Sequence, residues 1–269
     1  METLLIVLTT IVFSTVLFIF WVAKGGFNRK CLYTDNVILI ISASIINVLI
    51  HKLFYLPLWV LVIICGFNIG ILFTLLFLYK FYRNPVRKIT GGENDILSPA
   101  DGRIIYIKEL EVNQIPVTVK RMRIANVNEI TKTDILEHPC YLIGIAMTLF
   151  DVHYNRVPLD GNVLLVRHTP GTSIGLNTPE STLSNERMTT VFERGDGIKF
   201  GVVQIAARGV SRCIVSVKEG DKVSRGQIFG KIRWGSQSDL IIPRDCTIYV
   251  REGDQVYAGT SVIGRLNQA

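Results

Sequence analysis

The pattern of apolar and polar positions changes once along the chain. Up to Tyr79 apolar residues run almost unbroken, and beyond it short apolar runs alternate with turn residues. The run at residues 4–22 approaches the roughly 20 residues that a helix needs to cross a bilayer. Residues 37–50 form a shorter run that spans only if it extends towards Phe54, and residues 58–79 form a strong third. The first run begins beside Glu2, has no Lys or Arg on its amino side and lacks a clear small-residue cleavage site. It therefore reads as an uncleaved anchor rather than a signal peptide. Lys24, Arg29 and Lys30 follow the first run, and Lys80, Arg83, Arg87 and Lys88 follow the third. Three crossings with the amino terminus outside put both basic clusters on the cytoplasmic side. Trp21, Trp59 and Tyr79 fall near the predicted interfaces, where they serve as belt aromatics or as packing. The expected organisation is a membrane anchor over 1–82 and a soluble domain over 83–269, facing the cytoplasm at the inner or plasma membrane.

The second part reads as mainly β, in an α+β class. Residues 104–107, 142–147, 163–166, 202–206 and 214–217 are short, β-branched runs parted by turn residues. A weak helical pattern covers only 182–187. Near the end a motif repeats: Val217-Lys-Glu-Gly-Asp-Lys-Val223 and Val250-Arg-Glu-Gly-Asp-Gln-Val256. Each Glu-Gly-Asp triplet reads as a turn, with Gly220 and Gly253 free to take positive φ. The repeat resembles the hammerhead, or barrel-sandwich, fold of biotinyl and lipoyl carrier domains. As plain structure it is two hairpins, and Glu and Asp there are turn residues.

Composition narrows the partners. The formal net charge of +7 suits an anionic partner. No basic stripe with interleaved aromatics is present, so nucleic acid is a poorer fit than a membrane surface. The five cysteines are scattered, odd in number and never paired as C-x-x-C, which argues against a disulfide framework and a zinc site. No metal is expected.

Three segments carry candidate chemistry. In Ser98-Pro-Ala-Asp-Gly102, Asp101 sits in a tight turn and by itself reads as a turn residue. In the stretch from Asp151 to Pro158, Asp151 and His153 share a side if the chain is extended. His153 has the pKa range for general acid–base work, although a lone histidine is more often structural. In Trp234-Gly-Ser-Gln-Ser-Asp239, Gly235 leaves its carbonyl open to close attack and Ser236 supplies a hydroxyl. In isolation that pair is a turn.

Taken in order, these segments resemble the phosphatidylserine decarboxylase family in its short, bacterial and archaeal form. The resemblance runs from about Phe81 to the end. It includes Phe81-Tyr-Arg-Asn-Pro85, Pro170-Gly171, Asn185-Glu-Arg187 and Trp234-Gly-Ser236. It implies self-cleavage between Gly235 and Ser236 into chains 1–235 and 236–269, which stay associated, and conversion of Ser236 into a covalent pyruvoyl cofactor. It further implies a Schiff base between that ketone and the serine amine of phosphatidylserine, followed by loss of carbon dioxide to give phosphatidylethanolamine. The family's Asp-His-Ser triad maps onto Asp101, His153 and Ser236. Long-type members carry two histidines three apart in the segment of His153. Here the second position is Arg156, a departure that short-type members share, so His153 serves cleavage, decarboxylation or both. Three spans exceed what short-type members usually show. Homo-oligomerisation stays open. Two other readings stand beside this one: a membrane-tethered β-sandwich carrier or adaptor without enzymatic activity, and a decarboxylase of another serine lipid such as archaetidylserine.

Overall fold

The computed structural model describes residues 1–25, 27–110, 115–117, 123–125, 136, 139–171, 185–206, 212–233 and 236–267, with the backbone alone at 115–117, 123–125, Arg212 and Ser236. The chain forms two compact units. One comprises Met1–Arg83 with Thr148–Phe150, and the other Asn84–Met147 with Asp151–Ala269. The boundary falls one residue beyond the expected one, and a three-residue excursion from the strand-rich part belongs with the helices.

The helical unit contains α1 (Glu2–Lys24), the single turn α2 (Lys30–Tyr33), α3 (Asp35–Phe54) and α4 (Leu58–Tyr82). By length and composition, α1, α2 joined to α3, and α4 are each apolar enough to cross a membrane. Their near-uniform apolar sequence conceals an inward stripe. In α1 the buried positions are Ile6, Thr10, Ser14 and Phe18, four residues apart and so on one face. Ser14 donates to Asn36 (2.6 Å), Asn47 to Thr10 (3.2 Å) and Asn68 to Asn47 (2.7 Å), tying α1, α3 and α4 together. Large apolar side chains such as Ile38, Ile63 and Phe67 point outward. This inside-out arrangement suits lipid, where small and polar residues hold helices together. Trp21 stacks on Phe27 and Phe73, so its role is packing, whereas Trp59 and Tyr79 are exposed.

The second unit is built of antiparallel strands. In chain order they are β1 (Asp95–Leu97), β2 (Gly102–Leu110), β3 (Ile115–Val117), β4 (Arg123–Ala125), β5 (Cys140–Met147), β6 (Tyr154–Arg156), β7 (Gly161–Thr169) and β8 (Arg187–Glu193). There follow β9 (Lys199–Ala206), β10 (Arg212–Val215), β11 (Lys222–Val223), β12 (Ile228–Arg233), β13 (Ser236–Pro243), β14 (Cys246–Ile248), β15 (Gln255–Val256) and β16 (Val262–Leu266). An eight-stranded sheet runs β11-β7-β8-β9-β13-β5-β2-β15, with β13 in its interior. Smaller sheets are β1-β16-β14, β10-β12-β6 and β3-β4. Both faces of the large sheet are covered. Ile143, Ile145, Val202, Leu240 and Ile242 enter one core, and Leu142, Val203, Ile205 and Ile241 the other. That accounts for the apolar, non-alternating runs in the sequence. The expected weak helix does not form where it is described: Asn185 makes a bridge and Arg187 opens β8, while residues 182–184 lie outside the described set.

The repeats are turns, but not self-contained hairpins. Gly220 and Gly253 take φ of +88° and +92°. The first turn pairs β11 with β7, and the second pairs β15 with β2, at opposite edges of the large sheet. Their hydrogen bonds match. Asp221 and Asp254 each accept from the backbone N–H three residues earlier, Lys218 and Arg251, at 2.8 Å. Glu219 and Glu252 accept from the N–H groups of Val166 and Ile107. The acidic residues are therefore structural, since they satisfy edge-strand donors that would otherwise face solvent.

Candidate active site

Ser236 opens β13. It pairs with Met147 of β5 on one side and Ala206 of β9 on the other, so its backbone is fixed between two neighbours. Trp234 and Gly235 lie outside the described residues. Along β13, strand alternation puts Leu240 and Ile242 in one core and Ile241 in the other. Ser236 and Ser238 share the first face, and Gln237 and Asp239 the second.

Asp101 is more than a turn residue. Its carboxylate is buried, and a single Arg87 nitrogen donates to both oxygens at 3.0 and 2.7 Å. The N–H groups of Ala258 (2.8 Å) and Val152 (3.4 Å) complete its donors. Asp101 thus reaches the His153 segment through the Val152 amide. The turn itself is held by the Ser98 hydroxyl, which donates to the Ala100 carbonyl at 2.7 Å. Gly102, at φ +150°, packs so closely on the Ala146 carbonyl that a Cβ would overlap it.

His153 is buried, and its Nδ1 lies 2.8 Å from the backbone carbonyl of Asp151. A carbonyl only accepts, so this contact assigns the neutral ring's proton to Nδ1 and makes Nε2 the basic nitrogen. The partner is the Asp151 backbone; its side chain instead accepts from Gln255 at 3.3 Å. The His153 carbonyl accepts at 3.0 Å from Ile232 of β12, the strand that precedes Ser236.

The other motif residues lace these parts together. Arg156 donates to the Gly226 carbonyl (2.8 Å), to the Asn84 side chain and to the Pro85 carbonyl (both 3.4 Å), joining the Asn84-Pro85 motif to the His153 segment. Asn155, fully buried, donates to the Pro99 carbonyl and accepts from Gln204 at 2.8 Å. Asn185 donates to the Ala206 carbonyl at 2.9 Å, one strand away from Ser236. Among the described residues no cluster of His, Cys, Asp or Glu could hold a metal. The five cysteines are buried and form no disulfide, and burial pushes the Cys213 thiol up to about 12, which keeps it protonated.

Several of these residues were not singled out from the sequence. Arg87 reads there as a topology or lipid-surface charge, yet it neutralises Asp101 and lies over the Tyr257 ring at 5.8 Å. Tyr106, Gln204, Gln237, Ser238 and Asp239 were also missed. The available signal was the polar run Gln237-Ser238-Asp239 at the head of an otherwise apolar strand. A buried interior strand does not begin with three polar residues without partners or a task.

Residues 73–264 match the family model described as phosphatidylserine decarboxylase. A putative archaetidylserine decarboxylase proenzyme of Methanocaldococcus jannaschii is 39% identical over 73% of this chain and 93% of its own length. A phosphatidylserine decarboxylase proenzyme of Pelobacter propionicus is 34% identical over 76% of this chain and 83% of its own. One from Syntrophus aciditrophicus is 34% identical over 70% and 79%. The buried Asp101 and His153, and Ser236 at the head of β13, all fall within the residues that match this family of enzymes. The chain belongs to the phosphatidylserine decarboxylase family.

Proposed function

We propose that this protein is a membrane-anchored decarboxylase of a serine phospholipid, phosphatidylserine first, and that it makes its own cofactor by cleaving between Gly235 and Ser236. The observation that carries this reading is the placement of Ser236 at the head of an interior strand, with the Asp101 and His153 segments tied to each other and to the strand preceding it.

In the cleavage, the Ser236 hydroxyl attacks the Gly235 carbonyl and the amide becomes an ester. Loss of the Ser236 α-proton then expels the upstream chain as a carboxylate. Hydrolysis of the remaining dehydroalanine releases ammonia and leaves a ketone. Nε2 of His153 is the candidate base for the hydroxyl proton, and Asp101 positions the peptide before His153. The surroundings fit a small ketone-bearing group. Ser238 Oγ and Gln204 Oε1, a cross-strand pair on the face of Ser236, are buried without a hydrogen-bond partner among the described residues.

A pyruvoyl group supplies an electron sink for the electrons released with carbon dioxide. His153 is the candidate acid that returns a proton to the substrate α-carbon. The two chains stay together in this reading, because β13 is paired on both sides and contributes Leu240, Ile241 and Ile242 to two cores. The two basic clusters support a cytoplasmic catalytic unit, which would bring a lipid headgroup at that surface within reach.

His153→Ala is expected to slow self-cleavage by about 10²–10⁴-fold, the usual contribution of a positioned acid–base group. Gel analysis of the purified chain over time checks this, and cleavage at the wild-type rate removes His153 from that step. Turnover is tested by carbon dioxide release from detergent-dispersed phosphatidylserine and its loss on adding phenylhydrazine, which traps ketones. The archaeal relative named for archaetidylserine favours a second substrate reading. Competition between ester- and ether-linked serine lipids separates the two.

A further inference from the structure

On the sheet face opposite Ser236 lies a closed ring of three polar side chains. Gln237 donates from one nitrogen to Asp239 Oδ1 (2.7 Å) and to the Tyr106 hydroxyl oxygen (2.8 Å), and Tyr106 donates to Asp239 Oδ2 (2.7 Å). Asp239 is fully buried and Gln237 nearly so. The sheet is built to admit this ring. A bulge between Ile104 and Tyr106 shifts the register of β2 on β5, so Ile104 enters one core while Tyr106 packs on the other. Tyr106 and Asp239 both stand opposite Gly144 on β5, and a Cβ on Gly144 would overlap the Tyr106 ring. Glycine there is what lets the phenol reach across β5 to the carboxylate.

We infer that Tyr106, Gln237 and Asp239 form a positioning clamp that fixes the peptide following Ser236 for self-cleavage, an inference that rests on the cleavage reading above. The reasoning is geometric. Ser236 can reach the Gly235 carbonyl only along a narrow approach, and its own position is set by the peptide it shares with Gln237. A side-chain ring on the next residue locks that peptide from the far side without occupying the reaction space.

The alternative, that the ring only stabilises the fold, fits poorly with its charge. Burial pushes the Asp239 carboxyl up to about 6, against the hydrogen bonds from Gln237 and Tyr106 and the attraction of Lys108 and Arg187. Lys108 approaches from β2 and Arg187 from β8, while β5 and β9 contribute Gly144 and Val203 opposite Asp239. The sign follows. A carboxyl whose folded-state pKa is raised contributes stability that is fully present below about pH 4 and is lost as pH rises through about 6. At neutral pH the ionised Asp239 therefore weakens the fold. Yet only the ionised form accepts on both oxygens without having to place a proton of its own.

The test compares Asp239→Asn, Gln237→Met and Tyr106→Phe in two backgrounds. In the intact precursor, self-cleavage at pH 7.5 is expected to slow on the order of 10²-fold, the cost of misplacing reacting groups by about an ångström. In the Ser236→Ala background, where nothing cleaves, Asp239→Asn is expected to melt no lower than its parent. The wild-type cleavage rate should also fall towards acid pH, with Asp239 and the base His153 both contributing, and Asp239→Asn should remove the Asp239 share and leave a shallower fall. Cleavage within twofold of wild type in all three variants would overturn the clamp. So would slowing that appears only where melting falls in parallel, or an acid-side fall that stays as steep in Asp239→Asn as in the wild type. A wild-type chain that never cleaves strikes the cleavage reading itself, whereas a cleaving wild type with indifferent variants strikes the clamp alone.

Discussion

Ser236→Ala is expected to yield one uncleaved chain with no decarboxylase activity, however long it is incubated in detergent and lipid. The effect is all or none because both proposed tasks begin at one oxygen. Without the hydroxyl there is no attack on the Gly235 carbonyl, and without cleavage there is no ketone to accept the substrate amine. Folding should survive, since β13 pairs through its backbone and the adjoining core comes from Leu240 and Ile242. Gel mobility and carbon dioxide release are the measurements, with circular dichroism to verify the fold. Ser236→Thr and Ser236→Cys keep a nucleophile and should retain slow cleavage. A Ser236→Ala protein that still splits at this point would move the nucleophile elsewhere.

Arg87→Met carries the largest expected cost in stability. Asp101 is buried and Arg87 mostly so, with side-chain exposures of 2% and 12%. Removing the guanidinium leaves a carboxylate with only the amide N–H groups of Ala258 and Val152. Breaking such a pair by deleting one partner costs about 3–5 kcal/mol, because the remaining charge stays buried and uncompensated. Urea melts in the Ser236→Ala background read this directly. Adding Asp101→Asn should recover much of the loss, since a neutral amide needs no counter-charge, and the non-additivity measures the coupling. A loss below about 1 kcal/mol would place the pair in the weak class of surface ion pairs. Asp101→Asn with Arg87 intact should slow cleavage, because its contact to Val152 sets the peptide that carries His153.

Much of this architecture was legible in the sequence, for physical reasons. A bilayer demands long apolar runs, so the first and third helices stood out by length, whereas the second read short because its apolar run covers only part of Lys30–Phe54. Paired β-branched runs marked β2, β5, β7 and β9, and Gly220 and Gly253 sit where positive φ is required. Pairing at a distance was not legible. Nothing local says that the two Glu-Gly-Asp turns close on β7 and β2 at opposite edges of one sheet rather than as hairpins. The inward polar stripe of the helices was hidden because Thr10, Ser14 and Asn47 are diluted among apolar neighbours that face outward. In the candidate site, Asp101, His153 and Ser236 are proposed from an ordered set of motifs. Arg87 was missed because its charge had a sufficient explanation in topology. Tyr106 was missed because its reach depends on a bulge and a glycine on another strand.

Intact mass spectrometry of the purified wild-type protein tests the central claim most directly. The account predicts two species: a chain ending at Gly235, and a fragment of residues 236–269 lighter by one ammonia than simple hydrolysis would leave. A single unbroken chain after prolonged incubation would contradict it, and a fragment of unmodified hydrolytic mass would contradict formation of the ketone.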